Sequence, residues 1–216
     1  MHVLIINGSP RIKKYSNTDK ILAKFTEGMC ESGVTFEQYE ISDRKKWDDI
    51  RNAFYENKDI LIALPLYVEC IPGLLMEFLE TLTPKNDDTR ISFILQSGFA
   101  EGIQLRCGEE YLKKLAGYLG CTYMGTLVKG DNFGIRFVGA EQREKITGQY
   151  EQMGREYAKD GGFMSEECRK FTGPEVFPAY VRLLVGLMFK TVARRSLNKV
   201  SREWGCNKPL DFRPYD

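Results

Sequence analysis

The chain alternates short, uninterrupted apolar runs with stretches whose apolar positions recur at helical spacing. Residues 3–6 are a continuous valine, leucine and isoleucine run, the pattern of a parallel strand buried on both faces. Between 18 and 30, Ile21, Leu22, Phe25 and Met29 share one helical face, and Gly33 closes that unit. Residues 34–41 predict a second strand, less apolar and so nearer a sheet edge. A short helix over 47–56 and a third strand over 59–64, continuously apolar after Asp59, follow. Pro72 opens a third helix, since a first-turn proline lacks only an N–H that would have stayed unpaired. Leu74, Leu75, Phe78, Leu79 and Leu82 are predicted to face inward. The pattern repeats with a strand at 90–96, a helix at 103–119 and a strand at 121–129, with Gly120 at the helix C-cap. A fifth helix is predicted over 141–159, with Ile146, Tyr150, Met153 and Tyr157 on one side.

Strands that alternate with helices argue for an α/β fold, a doubly wound five-stranded parallel sheet. Right-handed crossovers leave few topologies. The order 2-1-3-4-5 puts its switch point between strands 1 and 3, where a ligand would sit beyond the strands' C-terminal ends. This domain is expected to span 1–160, with a C-terminal helical extension over 161–216 after the Gly161-Gly162 break.

That extension predicts one helix over 174–200, carrying Tyr180, Leu183, Leu184, Val185, Leu187, Met188, Phe189 and Val192, with Lys190, Arg194, Arg195 and Lys199 towards its end. Its unbroken apolar run, 183–189, falls far short of the roughly 20 residues that a membrane span requires. Apolar positions surround much of the helix, so packing on the core or on a dimer mate is expected rather than membrane binding. Trp204, Phe212 and Tyr215 fall in a loop-like end.

Charge changes the picture only by exclusion. The 216 residues hold 31 Lys and Arg against 30 Asp and Glu, a net charge of +1, which gives no reason to expect a nucleic-acid partner. The N-terminal apolar run is too short for a signal peptide, so a cytoplasmic location is expected. The six cysteines form no C-x-x-C pair and read as reduced thiols, with neither zinc nor an iron–sulfur cluster. His2 is the sole histidine, which leaves almost no material for a Ser-His-Asp or Cys-His mechanism.

Candidate chemistry gathers in three loops. After the first strand come Asn7-Gly8-Ser9-Pro10-Arg11 and then Ser16-Asn17-Thr18 at a helix N-terminus, where free N–H groups and the helix dipole favour an anion. Ser9, Ser16 and Thr18 offer hydroxyls, Asn17 its amide, and Arg11, with Lys13 and Lys14 nearby, positive charge; Ser16 or Asn17 also suits a helix cap. Neither G-x-x-x-x-G-K-[ST] nor G-x-G-x-x-G is present, which argues against a P-loop and against a dinucleotide-binding Rossmann site. A phosphate loop of hydroxyls suits a monophosphate held permanently, and FMN fits that description. After the third strand, Pro65-Leu66-Tyr67-Val68-Glu69-Cys70-Ile71-Pro72-Gly73 offers backbone amides to the polar edge of a flat heterocycle and Tyr67 to its face. After the fourth, Ser97-Gly98-Phe99-Ala100-Glu101-Gly102 permits close backbone approach, with Phe99 either lining the pocket or filling core.

With these motifs in order, the chain resembles the NAD(P)H-dependent FMN reductases and flavodoxin-like oxidoreductases over about its first 130 residues. The carrying residues are Gly8-Ser9-Pro10-Arg11 with Ser16-Asn17-Thr18, then Pro65-Leu66-Tyr67 with Pro72-Gly73. The resemblance implies a flavodoxin-like fold, FMN with its phosphate on the first loop and its ring against Pro65, Leu66, Tyr67, Val68, Ser97, Gly98 and Phe99, and a homodimer. The five residues between Arg11 and Asn17 make a longer phosphate loop than in many relatives, and Val68-Glu69 replaces an aromatic and a small residue. The expected chemistry is hydride from NAD(P)H to FMN, then electrons to a small acceptor such as a quinone, with the chemistry residing in the cofactor. No catalytic residue is named: Glu69 reads as a solvated loop carboxylate and Cys70 as a buried, inert thiol. The alternatives are a flavodoxin-type electron carrier, usually shorter and strongly acidic, and a flavin-binding module without turnover.

Overall fold

The computed structural model describes residues 1–209 and 211–213. It comprises two compact units, Met1–Glu175 and Val176–Asp216. In the first, β1 (His2–Asn7), β2 (Thr35–Glu40), β3 (Asp59–Pro65), β4 (Arg90–Gln96) and β5 (Thr122–Lys129) form one parallel sheet in the order β2-β1-β3-β4-β5. The continuous apolar runs are explained by burial on both faces. Leu4 and Ile6 stand beside Ile60 and Ile62 and enter one core with Phe93. Val3, Ile5, Leu61 and Ala63 enter the other with Ile94 and Leu127.

Seven helices follow in the first unit: α1 (Asn17–Glu31), α2 (Trp47–Glu56), α3 (Gly73–Leu79), α4 (Arg106–Tyr118), α5 (Ala140–Thr147), α6 (Gln149–Asp160) and α7 (Glu166–Phe171). α1 lays Ile21, Leu22 and Phe25 on one face of the sheet; α3 lays Leu75 and Phe78 on the other. The chain thus leaves β1 and β3 towards opposite faces, which opens a crevice between their C-terminal ends. α1 and α6 approach closely at two glycines. A Cβ on Gly28 would lie 1.9 Å from the Glu151 carbonyl oxygen, and one on Gly154 2.0 Å from that of Phe25.

Four details depart from the sequence reading. The helix expected over 141–159 is two helices broken at Gly148, and only the second packs its length on α1. α3 ends at Leu79, so Leu82 is buried from the following turn, and Leu74 is half-buried. α4 begins at Arg106, after a 3-10 turn over Gly102–Leu105. α7 was not foreseen. Its capping serine, Ser165, accepts from Cys168 N, and residues 161–175 fall in the first compact unit.

The second unit is helical. α8 (Ala179–Met188) runs through a π-helical segment, Phe189–Ala193, into α9 (Arg194–Glu203). The helix therefore starts later than residue 174, after Pro178, and ends beyond 200. None of its residues is buried. Trp204 and Phe212 are exposed, and Tyr215 lies outside the described residues. Among the described residues no helix is long and apolar enough to cross a membrane.

Candidate functional site

The crevice is a cleft of about 420 Å³ lined by four loops: Ser9, Arg11, Asn17 and Thr18 after β1; Pro65–Val68 after β3; Gln96, Ser97, Gly98 and Phe99 after β4; and Phe133 and Arg136 after β5. Eleven of the twelve residues expected to bind a cofactor line it. The twelfth, Ser16, is fully buried and caps α1, its side chain accepting from Asp19 N at 3.1 Å.

Local hydrogen bonds set the first loop. Asn7 Oδ1 accepts from Ser9 N at 3.1 Å, and Ser9 Oγ accepts from Arg11 N at 3.3 Å. Thr18 Oγ1 accepts from Gln96 Nε2 at 3.3 Å. Because the Ser9 and Thr18 hydroxyls already accept within the protein, their protons remain to donate to a ligand. Of the three basic residues considered, Arg11 alone lines the cleft. Lys13 lies 3.8 Å from Asp19, and Lys14 sits over the Tyr15 ring. Burial pushes the Asp19 carboxyl up, and Lys13 and Lys20 oppose that shift.

Asn17 lines the cleft and also ties two loops together. Its Nδ2 donates to the Asn132 carbonyl at 2.8 Å, which uses one of its two N–H groups. Its Oδ1 is buried and has no hydrogen-bond partner. A buried acceptor left unpaired is costly.

The second loop makes a tight turn. Tyr67 N donates to Cys70 O at 2.8 Å and Cys70 N to Tyr67 O at 3.1 Å, with Val68 and Glu69 at φ +46° and +66°. Two consecutive non-glycine residues in the left-handed region are uncommon, and such strain concentrates at functional loops. The turn leaves Tyr67 42% exposed on the cleft wall. Glu69 is exposed, in keeping with a solvated carboxylate, but Cys70 is exposed too and not the buried thiol expected. Phe99 lines the cleft, 43% exposed, rather than filling core. Ser97 braces its loop, its Oγ accepting from Phe99 N at 3.2 Å.

Gln96, Phe133 and Arg136 were not anticipated. The last two lie on a 3-10 turn, Phe133–Arg136, with no periodic signal to mark it. Its base is fixed: Asn132 N donates to Ser97 O at 2.9 Å, and Asn132 Nδ2 donates to Tyr150 Oη at 2.9 Å. Complete burial holds the Tyr150 phenol well above its ordinary range, so it stays neutral.

No protein-family model and no curated protein matches the sequence. Solved structures do. An FMN-dependent NADH-azoreductase from Bacillus anthracis, in complex with FMN, aligns at 17% identity over 74% of this chain and 100% of its own, with a TM-score of 0.51. An NADH:FMN oxidoreductase in its apo form aligns at 14% identity over 80% and 96%, with a TM-score of 0.55. An NADPH-quinone reductase from P. pentosaceus aligns at 15% identity over 71% and 98%, with a TM-score of 0.50. The fold is flavodoxin-like. In this flavodoxin-like frame the cleft occupies the switch point between β1 and β3. Among the described residues, no group of three or more His, Cys, Asp or Glu side chains is placed to hold a metal ion.

Proposed function

We propose that this protein is an FMN-dependent oxidoreductase that takes hydride from NAD(P)H and delivers electrons to a small acceptor such as a quinone. The observation that carries this reading is one cleft with two chemically distinct parts. Hydroxyls and a guanidinium from Ser9, Thr18 and Arg11 gather by the N-terminus of α1, while Pro65, Leu66, Tyr67, Val68, Gly98 and Phe99 supply flat, apolar and backbone surface. The first set suits a phosphate monoester and the second a fused planar ring. The unpaired Asn17 Oδ1 fits a ligand with donor groups between ring and phosphate, as a polyol chain provides.

FMN, when bound, supplies the hydride and single-electron chemistry that side chains lack. The protein's own part is to bind, orient and restrict access. The cleft lining contains no Asp, Glu, His, Cys or Lys among the described residues, which leaves the Tyr67 phenol and solvent as proton donors. Named functions of the structural neighbours, NADH-azoreductase, NADPH-quinone reductase and NADH:FMN oxidoreductase, support the same reaction class. We further propose that the protein acts as a homodimer, with a copy covering the exposed apolar residues of α8. Mixing the protein with FMN and NAD(P)H should bleach the flavin absorbance, and a quinone should restore it. A flavin that binds but is never bleached would leave a carrier or a binding module.

A further inference from the structure

The turn after β5 carries a basic and aromatic group outside the proposed phosphate set of Ser9, Arg11 and Thr18. Arg136 is half-buried, lines the cleft and makes no ion pair among the described residues. Its Cζ lies 4.4 Å from the centroid of the Phe137 ring. A guanidinium laid over a ring satisfies one face by cation–π attraction and leaves its in-plane N–H fork free for a planar anion. Phe133, 62% exposed, lines the cleft, and its ring centroid is 5.2 Å from that of Phe137, itself 51% exposed.

The group is held in advance of any ligand. Ile135, between the aromatics, is fully buried. Arg143 donates to the Ile135 carbonyl at 3.0 Å and to that of Val138 at 2.9 Å. Gly98 lets the turn come close, since a Cβ there would meet Phe133 Cβ at 3.0 Å. A half-buried cation stacked on a ring of a braced turn, beside open aromatic surface, is a preorganised recognition element.

We propose that Arg136 and Phe133 select the electron acceptor, favouring a planar aromatic that carries a carboxylate or sulfonate directly on its ring. Both residues line the cleft from one 3-10 turn and both pack on the Phe137 ring, so the charge is expected close to the stacked ring. A nicotinamide ring carries no anionic group itself, its nearest phosphate lying beyond a ribose, so the dinucleotide matches this spacing less well. The proposal rests on the oxidoreductase reading only in naming the ligand as the acceptor.

The test is calorimetric titration with 2-naphthoate and its neutral isostere 2-naphthamide, neither of which is reduced, on protein with and without FMN. Wild type should bind naphthoate about ten- to a hundredfold more tightly than naphthamide, the range expected for a charge-assisted hydrogen bond. Arg136→Ala should remove that preference, and Arg136→Lys should restore part of it. Phe133→Ala should weaken both ligands equally while keeping the preference, which guards against a variant that merely misfolds. Arg136→Ala should leave the ratio of FMN to riboflavin affinity, and NAD(P)H affinity, unchanged. Equal binding of naphthoate and naphthamide by wild type, or a preference that survives Arg136→Ala, would overturn the proposal. So would a selective loss of FMN over riboflavin, which would make Arg136 a phosphate ligand, or a matching loss of NAD(P)H. Absence of FMN uptake by wild type would count against the cofactor reading instead, since the naphthoate preference is read on the flavin-free protein as well.

Discussion

Asn17 Nδ2 donates to the Asn132 carbonyl at 2.8 Å, tying the loop after β1 to the loop after β5 across the mouth of the cleft. The tie orients the carboxamide. Oδ1, an acceptor, is the end left over.

Asn17 and Ser9 should therefore separate in a binding experiment. Asn17→Ala should weaken FMN and riboflavin alike, by about two- to tenfold for one neutral hydrogen bond. Ser9→Ala should weaken FMN and spare riboflavin, because its hydroxyl proton is available to a phosphate. Fluorescence titration of both flavins against both variants reads this directly. A loss confined to FMN in Asn17→Ala would put its amide on the phosphate after all.

The turn at Val68 and Glu69 should yield stability when relaxed. An L-residue in the left-handed region costs about 1–2 kcal/mol, and glycine returns about 0.5–1 kcal/mol of that through the unfolded chain. Glu69→Gly is chosen because Val68 lines the cleft and Glu69 does not. Calorimetry should show Tm rising by about 1–4 °C. A fall would mean that the Glu69 side chain makes a compensating contact.

The thiols should divide by burial. Burial pushes Cys121 up to about 11 and raises Cys168, whereas Cys30, Cys70, Cys107 and Cys206 are exposed. With a pKa of about 11, roughly a thousandth of Cys121 is thiolate at pH 8. Brief treatment of native protein with iodoacetamide at pH 8, followed by peptide mapping, should mark the exposed four and spare the other two. Early modification of Cys121 would show that its site opens readily.

Much of this was legible in the sequence. Residues 3–6 and 60–64 are apolar throughout because both faces of a central strand are covered, and that alone nearly fixes a parallel sheet. The loops after β1, β3 and β4 were legible because each follows such a strand and carries its own glycines, hydroxyls or aromatics. Phe133 and Arg136 were not, because a short 3-10 turn has no period to detect and its position depends on Asn132 bonding Ser97 and Tyr150, partners far along the chain. The tie that Asn17 makes was hidden for a related reason. Composition shows that an amide is present but not which distant carbonyl claims it. The break at Gly148 was hidden by a helical pattern that continues across it, and α7 by the scarcity of apolar residues in so short a helix.

Homodimerisation through α8 predicts a change in mass when its surface is charged. Leu184 and Leu187 are 68% and 57% exposed. Replacing both with lysine should convert a dimer to a monomer in light scattering, with the circular dichroism spectrum retained. An unchanged mass would exclude this surface as the interface.

The cofactor itself offers the most direct test. Flavin-free protein, shown to be folded by circular dichroism, is titrated with FMN while flavin fluorescence is followed. One FMN per chain is expected, at micromolar affinity or tighter, which corresponds to about 8 kcal/mol or more. Riboflavin should bind more weakly by the contribution of the phosphate. Folded protein that takes up no FMN, or that binds FMN and riboflavin equally, would contradict a phosphate held by Ser9, Arg11 and Thr18 at the β1–β3 crevice.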